Sequence, residues 1–266
     1  ISGSTFIITG ASSGIGEGLA KGLAAQGANA VLAARNEDKL NRIQSEIKSA
    51  GGKVIAVPTD ITDRNACNSL VENTISSFRS VDGMILNAGV SMWANFEDIQ
   101  DPSFFQKLMD VNYMGGVNCV HASLPELKKS QGKIVSITTA QALMGFPAHA
   151  GYAASKHALH GFTETLEIEA AGQVRFMDAY LGWIKGTDLR ANAFGADGEK
   201  MGASKHTHGS HAIELDDCVK NIIKGIARGK RRVYTPGKLR IIPFLNVFAR
   251  SWLQRKVSKA VKDHNK

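Results

Sequence analysis

Six short apolar runs alternate with stretches of helical spacing almost from the first residue. They are TFIITG (residues 5–10), ANAVLAAR (28–35), KVIAVPTD (53–60), GMILNAG (83–89), GKIVSIT (132–138) and QVRFMDAY (173–180). A strand with one wet face alternates polar and apolar residues, whereas near-continuous apolar runs mark strands covered on both faces. Between them, Leu40, Ile43 and Ile47 recur at helical spacing, and a second helix is expected over 15–26. Strand–helix alternation of this kind predicts a single doubly wound α/β domain with a mostly parallel sheet. No internal repeat or low-complexity linker interrupts it before residue 186, and 266 residues suffice for one large domain.

The turn after the first run is TGASSGIG, residues 9–16. Glycine here allows close backbone approach and positive φ, and the following helix presents unpaired N–H groups at its positive end. That combination suits a pyrophosphate, so Gly10, Ser12, Ser13, Gly14, Ile15 and Gly16 are the expected cradle. The end of the second run decides between dinucleotides. An acidic residue there would accept from a ribose 2′-hydroxyl and repel a 2′-phosphate. This chain has Ala34 followed by Arg35 and Asn36, and a guanidinium pairs with phosphate. The residues therefore predict NADP(H) rather than NAD(H).

A second stretch, IVSITTAQALMGFPAHAGYAASK over 134–156, carries the chemistry. Tyr152 and Lys156 are four apart and share a helix face. A free phenol titrates near 10, and a lysine charge about 4 Å away would favour the phenolate by roughly 4 kcal/mol at an effective dielectric of about 20. Thr139, thirteen residues before the tyrosine, offers one hydroxyl donor for a developing alkoxide. Its methyl stiffens χ1 without removing the donor. Ser136 and Thr138 are the neighbouring alternatives, although one residue of register turns a side chain to the other face.

Together TGASSGIG, LNAG (86–89), VNYMGG (111–116) and YAASK (152–156) resemble the short-chain dehydrogenase/reductase family, over roughly residues 5–186. The resemblance implies a Rossmann fold in which Asp60 and Ile61 flank the adenine and Asn87, Ala88 and Gly89 line the cofactor. It makes Asn112, Thr139, Tyr152 and Lys156 the catalytic group, with threonine where serine is usual. Tyr152 would pass a proton to the carbonyl oxygen, Lys156 would bind the nicotinamide ribose, and Asn112 would hold a relay water. Leu181-Gly182 stands where Pro-Gly is common, leaving Gly182 and Ile184 to meet the carboxamide. LGWIKGTD and the tail after Asp216 are most similar to 11-beta-hydroxysteroid dehydrogenase-like members. A homodimer or tetramer is implied too.

The expected activity is interconversion of a lipophilic ketone and a secondary alcohol, steroid-like or long-chain. A 3-ketosphinganine-type reductase and a silent NADP(H)-binding sensor or scaffold are the alternatives. Trp93, Phe96, Met144 and Phe146 are candidates for an apolar pocket, although each such residue is more often core. Residues 186–212, glycine-rich and polar, read as a lid. His206, His208 and His211 within it read as exposed side chains, so no metal is expected.

Charge separates the last segment from the rest. Residues 220–266 hold fourteen Lys and Arg against one acid, Asp263, whereas the preceding residues hold eighteen bases against twenty-three acids. A basic surface away from the cleft argues against nucleic acid. With the main domain over 1–234, residues 235–266 form a C-terminal basic amphipathic helix. Its stripe is Leu245, Phe248, Trp252, Leu253, Val257 and Val261. Such a stripe fits an anionic membrane surface, or packing on the domain or a twin subunit. The expected location is intracellular, peripheral on the endoplasmic reticulum or another membrane. The chain opens at Ile1, which leaves an upstream anchor open. Three cysteines without metal-like spacing suggest no disulfide framework.

Overall fold

In the computed structural model, residues 1–202 and 212–264 are described, with side chains to Lys259. The six apolar runs become strands β1 (Thr5–Thr9), β2 (Asn29–Ala34), β3 (Lys53–Pro58), β4 (Gly83–Leu86), β5 (Lys133–Thr139) and β6 (Arg175–Leu181). A seventh, β7 (Arg232–Thr235), was not expected, because only two of its four residues are apolar or aromatic. All neighbouring strands pair in parallel, in the order β3-β2-β1-β4-β5-β6-β7.

Helices α1 (Gly14–Ala24), α2 (Glu37–Ser49) and α7 (Leu215–Ala227) cover one face of this sheet. Leu19, Leu40 and Ile222 pack there on Ile8, Leu32, Val135 and Ala179. Helices α3 (Arg64–Phe78), α5 (Gly115–Lys129) and α6 (Ala150–Glu169) cover the other, where Leu70, Val120 and Leu159 meet Ile7, Val31, Met84 and Ile134. Successive residues of each central strand thus face opposite helix layers, which is why the runs read as apolar throughout. Each such fully buried aliphatic side chain contributes about 1.5–3 kcal/mol relative to exposure.

The order reverses between β1 and β4, and a crevice opens beyond their carboxyl ends. Thr9 ties the two strands together there. Its hydroxyl donates to the Ile85 carbonyl at 3.0 Å and accepts from the Asn87 and Ala88 N–H groups at 3.0 and 3.1 Å.

The short helix α4 (Phe104–Met109) runs through a π-helical turn, Asp110–Met114, into α5. The tail differs from the single helix expected of its stripe. It is two helices, α8 (Ile242–Phe248) and α9 (Arg250–His264), broken at Ala249 with φ −140° and ψ 37°. Leu245, Leu253 and Val257 pack on Ala140, Leu143, Met144 and Phe146, while Asn246 donates to the Leu143 carbonyl at 3.0 Å. Phe248 and Trp252, from the same stripe, face outward, and nothing is described of the Val261 side chain. These contacts bend the chain onto the body of the domain. No helix among the described residues is long and apolar enough to cross a membrane.

Candidate active site

The glycine turn sits at the reversal point. Gly10 has φ +63°, and a Cβ on it would stand 2.8 Å from the Ala88 Cα. A Cβ on Gly16 would collide with the Gly10 carbonyl oxygen, so this turn can close on β4 only with glycine at both positions. Asn87 completes the join, its Nδ2 donating to the carbonyls of Thr9 and Gly10 at 2.9 and 3.2 Å.

A cavity of about 1040 Å³ extends from this turn across the carboxyl ends of the strands. Gly10, Ser12, Ser13, Gly14 and Ile15 line one end, with Arg35, Asn36, Asp60 and Ile61. Asn36 caps α2 by accepting from the Lys39 N–H at 2.9 Å. At Asp60, burial pushes the carboxyl up, but the Thr62 N–H and O–H and the Arg35 charge outweigh it and hold it below its usual value. Asn87, Ala88 and Gly89 line the middle, and Thr139, Tyr152, Lys156, Gly182 and Ile184 the far end. Gly182 packs under Pro236, whose Cδ a Cβ would approach to 3.1 Å. The close-packed turn, the reversal crevice and a neutral Ala34 followed by Arg35 fit an extended dinucleotide.

Two expected residues stand behind the wall. Gly16 supports the turn. Asn112, 1% exposed in the π turn, donates to the Val90 carbonyl and the Ser155 hydroxyl at 2.8 and 2.9 Å and accepts from the Val90 N–H at 2.8 Å. Its side chain is committed to holding the segment after β4 against α6. Both Nδ2 hydrogens are used, and Oδ1 keeps one lone pair beyond the Val90 bond.

Tyr152 and Lys156 lie on α6 facing the sheet, and both are buried. The Lys156 Nζ donates to the Ile137 carbonyl at 3.2 Å and sits 5.9 Å from the Tyr152 ring centroid. The lysine charge expected to favour the phenolate does not prevail. Here burial dominates: it pushes the Tyr152 phenol well above its usual value and lowers Lys156 to about 8. Removing both groups from water disfavours phenolate and ammonium alike. At neutral pH Tyr152 is thus a protonated phenol, the form that gives a proton away.

Thr139 ends β5, opposite Leu181 in register. Its Oγ1 accepts from the Gln141 N–H at 3.3 Å, capping a short 3-10 turn. One lone pair is used and the O–H proton stays available for donation. Ser136 and Thr138 lie opposite Asp178 and Tyr180, buried, and their hydroxyls touch no partner among the described residues; Thr138 lines the cavity too, and Ser136 does not.

Among the four apolar candidates only Trp93 lines the cavity. Phe96 is 67% exposed, and Met144 and Phe146 are taken up by the tail helices. The residues that join Trp93 were not foreseen: His149, Arg190 and Phe194. Part of the expected lid is pinned down. The Phe194 N–H donates to the Ser91 carbonyl and the Trp93 N–H to the Phe194 carbonyl, both at 2.9 Å. His206, His208 and His211 lie outside the described residues.

The family model described as short chain dehydrogenase matches residues 4–197. The 11-beta-hydroxysteroid dehydrogenase-like 2 of Arabidopsis thaliana is 35% identical over 246 residues, which cover 91% of this chain and 76% of the relative. The 11-beta-hydroxysteroid dehydrogenase of Pinus massoniana is 30% identical, with 98% of this chain and 78% of the relative covered. Among solved structures, a short chain dehydrogenase/reductase from Burkholderia phymatum in complex with NAD superposes with a TM-score of 0.78 at 24% identity, covering 91% of this chain and 92% of that one. An alcohol dehydrogenase from Thermococcus sibiricus complexed with 5-hydroxy-NADP gives 0.73 at 24% identity, covering 87% and 94%. The chain belongs to the short-chain dehydrogenase family, oxidoreductases acting on CH–OH groups with a nicotinamide cofactor, and within it is most like the 11-beta-hydroxysteroid dehydrogenase-like members.

Proposed function

We propose that this protein is an NADP(H)-dependent oxidoreductase that interconverts a lipophilic ketone and its secondary alcohol, with Tyr152 as proton donor in reduction. The observation that carries the reading is the convergence of Tyr152, Lys156 and Thr139 on the cavity that also holds the glycine turn and Arg35. Arg35 would bind the 2′-phosphate, the α1 amino end the pyrophosphate, and Lys156 the nicotinamide ribose. Bound there, the cofactor supplies or accepts a hydride at the substrate carbon. Thr139 orients the carbonyl through its O–H and stabilises negative charge growing on oxygen, and Tyr152 delivers the proton.

Thr139→Ala is therefore expected to lower kcat for ketone reduction by about 10²-fold, the usual effect of losing one such donor, while Thr139→Ser retains activity. Initial rates with saturating NADPH test this; equal rates for Thr139→Ala and the unaltered protein would remove Thr139 from the chemistry.

Delivery of the substrate from an anionic membrane surface is part of the same reading. Ile241, just before α8, and Phe244 and Phe248 on it are 52%, 60% and 73% exposed, and Val247 and Trp252 are exposed too. Arg240, Arg250, Arg255 and Lys256 are exposed around this patch. Basic residues near an anionic lipid surface contribute about 1 kcal/mol each. The opposite side of these helices packs on Leu143 and Met144, within the stretch between Thr139 and Tyr152. Flotation with phosphatidylserine vesicles is expected for the intact chain and lost in Phe244→Glu/Phe248→Glu; equal flotation of the two would exclude the patch as the contact.

A further inference from the structure

His149 stands immediately before α6, and its backbone is fixed there. Its N–H donates to the Phe146 carbonyl at 3.3 Å, and its carbonyl accepts from the Ala153 N–H at 2.8 Å. The side chain is 5% exposed and lines the cavity. Three aromatic rings surround the imidazole edge-on, with centroids at 4.7 Å for Trp93, 5.2 Å for Phe146 and 6.0 Å for Tyr152.

The protonation state of the imidazole follows from its neighbours. Nδ1 lies 3.0 Å from the Pro147 carbonyl oxygen, which can only accept, so Nδ1 carries the proton. Burial, opposed by this bond and aided by the Arg190 charge, lowers the group to about 4, and the ring is neutral at neutral pH. Nε2 is then an acceptor with its lone pair bare. It caps no N–H of α6 and meets no hydrogen-bond partner among the described residues. A buried acceptor without a donor is destabilising, and phenylalanine would suit this aromatic setting without that cost. The other polar groups at this end of the cavity do not duplicate it. Thr139 and Tyr152 supply O–H donors for the carbonyl, and the Gln141 Oε1, on the same wall, is shut away from solvent.

We infer that His149 is a specificity residue whose Nε2 accepts a hydrogen bond from a hydroxyl that the substrate carries beside its reacting carbonyl. The carbonyl at Tyr152 rests on the function proposed above; the hydroxyl site does not. The imidazole and phenol rings are close enough for neighbouring oxygens of one substrate to reach both. The substrate is then a lipophilic α- or β-hydroxyketone, or the matching diol in the oxidative direction. A methyl ether of that hydroxyl has no proton to give, and a site built to receive one rejects it.

The test uses the full chain with NADPH and matched ketones of long-chain and steroid type. Each series holds an α- or β-hydroxyketone, its methyl ether and the parent ketone. The unaltered protein is expected to prefer the hydroxyl form to its ether in at least one series. His149→Phe keeps an aromatic ring in the same setting and should reduce that hydroxyl-to-ether ratio of kcat/KM about 5- to 100-fold, the effect of losing a buried hydrogen bond. His149→Gln, whose amide can donate to Pro147 and still accept, should retain part of the preference. A ratio that His149→Phe leaves unchanged would overturn the inference, because a residue that merely holds the start of α6 depresses all three ketones alike. Calorimetric titration with the same ketones in the presence of NADP+ separates the hydroxyl site from the reaction. Tighter binding of the hydroxyl form, lost in His149→Phe, without turnover of any ketone would sustain the site and sink the reaction. Equal binding of hydroxyl form and ether to the unaltered protein would sink the site whatever the turnover.

Discussion

Tyr152→Phe is expected to lower kcat for NADPH-dependent ketone reduction by about 10²- to 10⁴-fold, the range supplied by a positioned general acid. NADPH affinity should stay within roughly twofold, since the six-membered ring and its place in the cluster with Leu108 and Phe104 are kept. Burial keeps the Tyr152 proton on the phenol, and Phe has the same shape with no proton to give. Stopped-flow single turnover separates this from slow product release. A mutant with an unaltered chemical step would show that another group donates the proton.

Arg35→Asp is the second large effect. The guanidinium follows Ala34 directly at the carboxyl end of β2 and lines the cavity beside Asp60, whose carboxyl already feels its charge. Removing a charge-assisted phosphate contact costs about 1.5–3 kcal/mol, and placing a carboxylate there adds repulsion. NADPH affinity should fall by about 10²-fold. NADH affinity should rise, because the new carboxylate can accept from a ribose 2′-hydroxyl. Isothermal titration of both cofactors reads both effects in one protein. Unchanged discrimination would place the phosphate elsewhere.

The central sheet and the glycine turn were legible because their signals are local. Apolar runs such as ANAVLAAR need two covered faces, and TGASSGIG needs backbone contact that only glycine allows. β7 was not legible: Arg232 and Thr235 bracket its short apolar centre, and its place is decided by pairing with β6. The break at Ala249 carries no glycine or proline at that residue; it follows from where Leu245, Asn246 and Leu253 find partners.

The cavity wall divides the same way. His149 precedes Tyr152 by three residues, a helix-face spacing that could have singled it out. Arg190, in the polar stretch GTDLRAN, has no spacing to reveal it, since it reaches Trp93 through pairing between Phe194 and a segment about a hundred residues away. Met144 and Phe146 could serve pocket or core, and the tail helices, about a hundred residues away, decide it by packing on them.

The most direct measurement is the initial rate of NADPH oxidation by the purified chain, followed at 340 nm against a panel of steroid and long-chain ketones, with NADH in parallel. The account predicts turnover of at least one lipophilic ketone, with kcat/KM for NADPH more than about tenfold above that for NADH. Tight NADPH binding without oxidation by any ketone in the panel, or an equal or greater rate with NADH, would contradict it.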